Sequence, residues 1–152
     1  MKIIEPRVEA ITERDPLKKI EIAGRTCYKS ESKIGANSAE KFVADIIKRK
    51  HESVIEHANF ILHLEPWVMR SFLNTVHDLE DNGVLVMQRV TKLIVSGNAR
   101  MWRDLFRACE KYELSLPGCI RQLTINNPVL FPEFMSSKIF DECWSNESVL
   151  FL

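Results

Sequence analysis

The chain has 152 residues, with 21 basic and 21 acidic side chains and 45% hydrophobic residues. This composition is typical of a soluble globular protein, and we expect one domain spanning residues 1–152. A zero net charge removes the usual electrostatic driver of nucleic-acid binding. No nucleic-acid partner is therefore expected. No run of about 18 apolar residues is present either, so no membrane span is expected.

The four cysteines are scattered and form no C-x-x-C pair: Cys27, Cys109, Cys119 and Cys143. This arrangement argues against a structural zinc site. The N-terminal stretch MKIIEPRVEAITERD also lacks the apolar core of a secretory signal. Reduced thiols in a cytoplasmic protein are therefore expected.

The first half of the chain predicts a short strand and two helices. KIIEP predicts the strand, and Asp15-Pro16 predicts the start of a helix that continues through LKKIEIAGRTCY, with Asp15 as N-cap. The polar stretch KSESKIGANS predicts a loop. Asn37 and Glu40 have the spacing of a capping box for the second helix. That helix carries an apolar face of Phe42, Val43, Ile46 and Ile47.

Further along, residues 58–64 alternate between apolar and polar side chains, which predicts a half-buried strand. Pro66 opens a third helix, and VLVMQRVTKLIVSG predicts a second long strand or a hairpin arm. Asn98 caps a fourth helix, and Ser115-Leu116-Pro117 is a candidate start for a fifth. These elements predict an α+β fold, with helices packed on a small sheet.

The stretch HESVIEH, residues 51–57, has two readings. Its two histidines and two glutamates resemble metal ligands, but their spacing does not bring enough of them to one ion, so no metal site is predicted. In the other reading, Ser53 and Glu56 form a capping box that leaves N–H groups available to an anion.

A second candidate site lies in SGNARMWRDLFR, residues 96–107. Asn98 is a favourable N-cap, and Arg100 falls in the first helical turn, where a cation is unfavourable unless an anion is near. One reading is therefore a phosphate or other anion beside Arg100. The other is a surface ion pair between Arg100 and Asp104, four residues further on.

Three segments in this order resemble the flavin-dependent thymidylate synthases: AGRTCYKSE, HESVIEHANFILHL, and GNAR at the start of a helix. The resemblance implies an antiparallel sheet flanked by helices, assembled as a homotetramer that binds FAD at subunit interfaces. Members of that family methylate the nucleotide dUMP to dTMP, using FAD, NADPH and methylene-tetrahydrofolate.

The resemblance also implies residue roles. His51 matches a flavin-contacting histidine, Ser53 a hydroxyl near the FAD phosphates, and Glu56 the glutamate of the family's Glu-His pair. Asn98 and Arg100 match FAD-binding positions, and Cys27 falls where the family often has a serine near the cofactor. Because FAD carries a pyrophosphate, these roles agree with the two anion sites derived from the residues themselves.

The substrate half of the family pattern is absent. The slot of an Arg-His-Arg motif holds Val76-His77-Asp78, and a substrate-binding arginine of the fourth helix is replaced by Cys109. Arg103 and Arg107 are the nearest candidates for binding substrate instead. An FAD-binding homologue with an impaired dUMP half-site is therefore predicted, with no catalytic residue assigned. The alternative is a non-catalytic, oligomeric interaction or regulatory module that kept the fold.

Overall fold

The computed structural model describes residues 9–12, 15–81, 89–91 and 94–141. Its strands and α-helices, in chain order, are β1 Glu9–Thr12, α1 Pro16–Cys27, α2 Ser38–Lys48, β2 Asn59–His63, α3 Pro66–Asp81, β3 Arg89–Thr91, β4 Ile94–Asn98, α4 Ala99–Tyr112, β5 Leu116–Pro117, α5 Gln122–Asn126 and β6 Phe140–Asp141. The predicted α+β class, an antiparallel sheet flanked by helices, is confirmed.

The main sheet has four strands in the order β1-β2-β4-β3, and every pairing is antiparallel. The central strand β2 places Phe60 against Gly97 and Leu62 against Val95 of β4. Because side chains alternate along a strand, Phe60 and Leu62 are both fully buried while Asn59 is exposed. A second, two-stranded sheet pairs β5 with β6 in parallel.

Helices α1 and α2 approach each other closely at Gly24. A Cβ atom at this position would lie 2.6 Å from Cζ of Phe42 in α2 and 2.9 Å from Cγ1 of Val54. Both distances are below van der Waals contact, so the crossing needs a residue without a side chain. Gly24 thereby sets the spacing of α1 and α2, which form the walls of a cleft described below.

Helix α4 holds the C-terminal part of the described chain through aromatic packing. The ring of Phe106 lies 5.3 Å from those of Phe134 and Phe140 and 5.7 Å from that of Phe131, measured between centroids. The contacts with Phe134 and Phe140 are edge-on and that with Phe131 is tilted, and aromatic pairs at these distances are favourable beyond simple burial. This packing fixes a short 3₁₀ helix, Pro132–Phe134, beside α4.

The N-caps of two helices agree with prediction. Asp15 accepts a hydrogen bond from the Lys18 N–H at 2.9 Å, and Asn98 accepts one from the Met101 N–H at 2.8 Å. The Asn37–Glu40 capping box was wrong, because Asn37 precedes α2 but its side chain makes no cap hydrogen bond. Instead, Ser38 Oγ accepts from the Gly35 N–H at 2.8 Å.

Three further strand and helix predictions have different outcomes. The KIIEP strand lies outside the described residues, whereas β1 occurs later, at residues 9–12. Within VLVMQRVTKLIVSG, the described residues form two antiparallel strands, β3 and β4, so the hairpin alternative was the right one. Ser115-Leu116-Pro117 does not open a helix, since Leu116 and Pro117 form β5. No helix in the described residues is both long and apolar enough to cross a bilayer.

Candidate functional site

A cleft of about 490 Å³ lies between α1 and α2, beside the start of HESVIEH. Four cationic side chains line the cleft: Arg25, Lys33, Lys41 and Arg49. One carboxylate, that of Asp45, lines it as well. His51 and Tyr28 lie together in the same wall, with the Tyr28 hydroxyl oxygen 3.5 Å from Nδ1 of His51. The excess of cations makes this cleft electrostatically suited to an anionic ligand.

Arg25 is held in this wall by neighbours on α1 and α2. Its Nε donates to Oε1 of Glu21 at 2.7 Å, and its guanidinium carbon lies 4.8 Å from the centroid of the Phe42 ring. Glu21 is only 1% exposed, and its other oxygen, Oε2, accepts from Ser38 Oγ at 2.8 Å. A buried carboxylate needs such partners for both oxygens.

HESVIEH does not form a capping box. After α2, the His51 N–H donates to the Ile46 carbonyl at 3.1 Å, and residues Glu52–His57 wind as a 3₁₀ helix. The N-cap of this helix is His51 rather than Ser53, and it makes no side-chain cap bond. The predicted Ser53–Glu56 box was therefore wrong, and Glu56 has a different partner.

That partner is Arg100. Its Nη1 donates to Oε1 of Glu56 at 2.7 Å, and its Nε lies 3.7 Å from Oδ2 of Asp104. The hydrogen bond from Arg100 to Glu56 raises the pKa of the guanidinium above its ordinary value. The two readings of Arg100 thus resolve towards an ion pair with carboxylates in this structure, and Asn98 uses its side chain as the α4 cap.

One helical turn further along α4, Arg103 is only 2% exposed and has carboxylate partners on both sides. Its Nε donates to Oε1 of Glu52 at 3.2 Å, and its Nη1 donates to Oε2 of Glu133 at 3.1 Å. Nη1 also donates to the Leu130 carbonyl, and Nη2 to Oε1 of Glu133. All three nitrogens are therefore engaged within the chain, which leaves Arg103 poorly placed as a substrate ligand.

Arg107 joins the same network but remains 41% exposed. Its Nη1 donates to Oε2 of Glu52 at 2.7 Å and to Oδ1 of Asp104 at 3.1 Å. The hydrogen bonds that Arg107 donates to Glu52 lower the pKa of Glu52 and raise the pKa of Arg107. Protein carboxylates therefore already occupy the arginine donors that an anionic substrate would need on this face.

The predicted cofactor residues therefore fall in separate places. His51 lines the cleft, whereas the other five do not: Cys27, Ser53, Glu56, Asn98 and Arg100. Cys27 is exposed and directly precedes Tyr28, a lining residue. The cofactor and substrate roles of all these residues stay predictions.

Within the described residues, one group of three or more His, Cys, Asp or Glu side chains lies close enough to share an ion. It comprises His77, Asp78 and Asp81 of α3, whose ligand atoms lie within 4.8 Å of one another. All three are exposed, and His77 Nδ1 lies 3.1 Å from Oδ2 of Asp81. The residues of HESVIEH do not form such a group.

Three described cysteines are free thiols, in contrasting surroundings. Burial raises the pKa of the Cys109 thiol to about 12 and that of Cys119 to about 11. Cys27 is exposed. Thiol chemistry at neutral pH is therefore concentrated at Cys27 among these three.

The protein thus has an α+β fold with an antiparallel sheet and a basic cleft between α1 and α2. Residues 9–75 match the family model described as thymidylate synthase complementing protein. The match confirms the predicted relationship to the flavin-dependent thymidylate synthases over that part of the chain. It includes the cleft and His51 but ends immediately before Val76-His77-Asp78. No curated protein matches the chain.

Sequence reasoning did not identify the cations of the cleft or the carboxylates facing α4. Glu21 and Arg25 are four residues apart on α1, a spacing that could have indicated their pairing. Glu133 carries no comparable local signal, because its arginine partner lies thirty residues earlier in the chain.

Proposed function

We propose that this protein is a divergent FAD-binding homologue of the flavin-dependent thymidylate synthases, with an impaired dUMP half-site. The supporting observation is the basic cleft that contains His51, because it lies entirely within the segment that matches the family model. Cationic side chains around a pocket of this size suit a ligand that combines phosphates with planar rings.

The residues present fit part of such a cofactor. Arg25, Lys41 and Arg49 would neutralise the pyrophosphate, and the Tyr28–His51 pair would contact an adjoining ring. FAD, when bound, would supply the redox chemistry of the family. Since FAD is larger than this cleft, a neighbouring subunit would cover the remainder, as expected for a homotetramer.

The impaired dUMP half-site is supported by the face of α4. Arg103 is buried among Glu52, Glu133 and the Leu130 carbonyl, and Arg107 is paired with Glu52 and Asp104. A nucleotide phosphate would have to compete with these carboxylates and would also be repelled by them. We therefore expect weak dUMP binding and little or no methylation of dUMP.

The test is the visible absorption spectrum of the purified protein, taken before and after incubation with excess FAD and removal of unbound cofactor. Retained flavin absorbance, bleached by NADPH, is the expected result. A protein that stays colourless and keeps the same melting temperature with FAD would refute cofactor binding, because a ligand of the native state must stabilise it.

A second candidate is a non-catalytic, oligomeric interaction or regulatory module. The carboxylates engaged with Arg103 and Arg107 favour it, since they fill a would-be anion site with ion pairs. This candidate predicts an oligomer whose melting temperature is indifferent to both FAD and dUMP. Because both candidates are oligomers, a thermal-shift series with FAD separates the two functions: stabilisation by FAD supports the first, and an unchanged melting temperature supports the second.

Cytoplasmic localisation stays part of the proposal. The free thiols of Cys27, Cys109 and Cys119 support a reducing compartment. Fractionation of the producing cells would test it, with recovery outside the cytoplasm as the contrary result.

A further inference from the structure

We propose that Arg25 is a preset phosphate ligand in the α1–α2 cleft, and that Glu21 is the positioning residue that holds it. The inference rests on the proposed cofactor site and names the chemical group that this site recognises. The ligand class is a nucleotide carrying a phosphate or pyrophosphate, of which ADP is the simplest soluble probe.

The first step is the fixation of Glu21. This carboxylate is 1% exposed, yet each of its oxygens has one hydrogen-bond donor: Arg25 Nε at 2.7 Å and Ser38 Oγ at 2.8 Å. Ser38 is itself tied to the Gly35 N–H and opens α2. Glu21 is therefore locked to both helices, and its orientation is determined by the fold rather than by solvent.

The contact with Glu21 leaves two nitrogens of the Arg25 guanidinium available to a ligand. Glu21 engages only Nε, and Phe42 lies under the guanidinium at 4.8 Å. Among the residues that the structure describes, Nη1 and Nη2 of Arg25 meet no acceptor. Arg25 lines the cleft, so a positioned guanidinium with two unengaged nitrogens is available to a ligand there. Two parallel N–H donors match phosphate oxygens in a bidentate arrangement.

The third step is the charge around this guanidinium. Lys33, Lys41 and Arg49 line the same cleft, and within the described ranges none of them forms an ion pair. This differs from the α4 face, where each arginine is neutralised by carboxylates. Asp45 also lines the cleft, but the three cations and the fixed guanidinium outnumber this one carboxylate and favour a ligand with more than one negative charge.

A purely structural role for the Glu21–Arg25 pair is the competing explanation. An exposed helical pair at this spacing contributes little to stability. Here the carboxylate is buried and divides its oxygens between two helices, which directs the guanidinium without saturating it. A structural role alone requires no cations at Lys33, Lys41 and Arg49.

The experiment is isothermal calorimetry of the full-length protein with ADP, FAD and riboflavin, well below the melting temperature. The variants are Arg25→Gln, Lys41→Gln and Glu21→Gln. Lys48→Gln is the matched control for Lys41→Gln. Both lysines are exposed on α2, but Lys48 lies outside the α1–α2 cleft, in a groove with Val129 and Pro132.

We expect wild-type protein to bind ADP, and Arg25→Gln to bind it about tenfold more weakly, since a charge-assisted bond is lost. Lys41→Gln, at an exposed position, should weaken binding severalfold even if Arg25→Gln fails to fold. Glu21→Gln should also lower affinity in the folded protein, which a merely stabilising role would not do. Lys48→Gln should bind ADP with wild-type affinity. Riboflavin carries no phosphate, so Arg25→Gln should leave any riboflavin affinity unchanged.

Absence of ADP binding to wild type, or equal affinities in wild type, Arg25→Gln and Lys41→Gln, would overturn the inference. FAD binding that is insensitive to Arg25 and Lys41 would overturn it while leaving the proposed function intact. Conversely, Arg25-dependent ADP binding without FAD binding would support the phosphate site and reject the flavin function.

Discussion

The cleft between α1 and α2 and the face of α4 both carry clustered arginines, yet the two regions present them differently. In the cleft, Arg25 engages one nitrogen with Glu21 and faces open space with the others. On α4, the nitrogens of Arg103 are all engaged by Glu52, Glu133 and the Leu130 carbonyl.

This difference shows that the number of arginines near a pocket does not determine its affinity for anions. What counts is how many guanidinium nitrogens the protein's own carboxylates leave available. A fully engaged arginine is a structural cross-link, whereas a partly engaged one is a prepared ligand. The experiments that follow alter each region in turn, beginning with the largest expected effect.

Arg103→Ala should destabilise the protein by about 2–3 kcal/mol, because it empties a buried site and removes the hydrogen bonds from Arg103 to Glu52, Glu133 and the Leu130 carbonyl. Arg107→Ala, at a 41% exposed position, should cost about 1 kcal/mol or less. Urea unfolding of both variants gives the comparison. Equal losses would mean that the α4 network is not anchored at Arg103.

Acid should weaken the α4 network through Glu52. Its folded-state pKa is lowered, chiefly by the hydrogen bond from Arg107, so the stabilisation is present above the ordinary glutamate pKa of about 4.3 and is lost as pH falls through the lowered pKa. Glu52→Gln should remove part of the acid-induced loss of unfolding free energy. The exposed Glu40→Gln control should follow the wild-type curve, and an unchanged curve for Glu52→Gln would contradict the assignment.

Glu133→Gln should make the α4 face more receptive to anions. Removing one carboxylate frees part of the guanidinium surface of Arg107, and at this exposure the gain in dUMP affinity should not exceed about fivefold. Calorimetric titration with dUMP measures it, with the exposed Glu80→Gln on α3 as control. The same gain in both variants would indicate a general charge effect rather than release of Arg107.

The smallest effect concerns thiols near the cleft. At neutral pH, alkylation should label exposed Cys27 much faster than Cys109 or Cys119, whose pKa values are raised to about 12 and about 11. Peptide mass mapping identifies the modified site, and Cys27→Ser should remove that fast label. FAD should slow labelling of Cys27 if the cofactor covers this side of α1; an unchanged rate would place Cys27 away from it.

Local patterns predicted the first four α-helices and the central strand well, because apolar periodicity and the Asp15 and Asn98 caps act over a few residues. The Ser53–Glu56 box failed for a physical reason. The His51 N–H bonds back to Ile46 of α2, so the 3₁₀ helix Glu52–His57 follows α2 directly and has His51 rather than Ser53 at its N-cap. His51 in the cleft was reached by resemblance to a family.

The arrangement of charges in the cleft and on the α4 face could not be predicted from local sequence patterns. The carboxylates that engage Arg103 come from Glu52 and Glu133, and Glu133 lies in a stretch where prolines obscure any periodicity. The cleft cations come from two helices and the intervening loop, and no motif unites them. Such groupings depend on tertiary packing, which places residues together regardless of their separation along the chain.

The position of β2 at the centre of the main sheet bears on modularity. The segment that matches the family ends at residue 75, yet β2 pairs on one side with β1 and on the other with β4, at residues 94–98. Expressed alone, residues 9–75 would expose the backbone donors and acceptors of β2 along a whole edge, inviting association with other strands. Residues 9–75 are therefore not an independent folding unit, and any truncated or grafted version would have to retain β4.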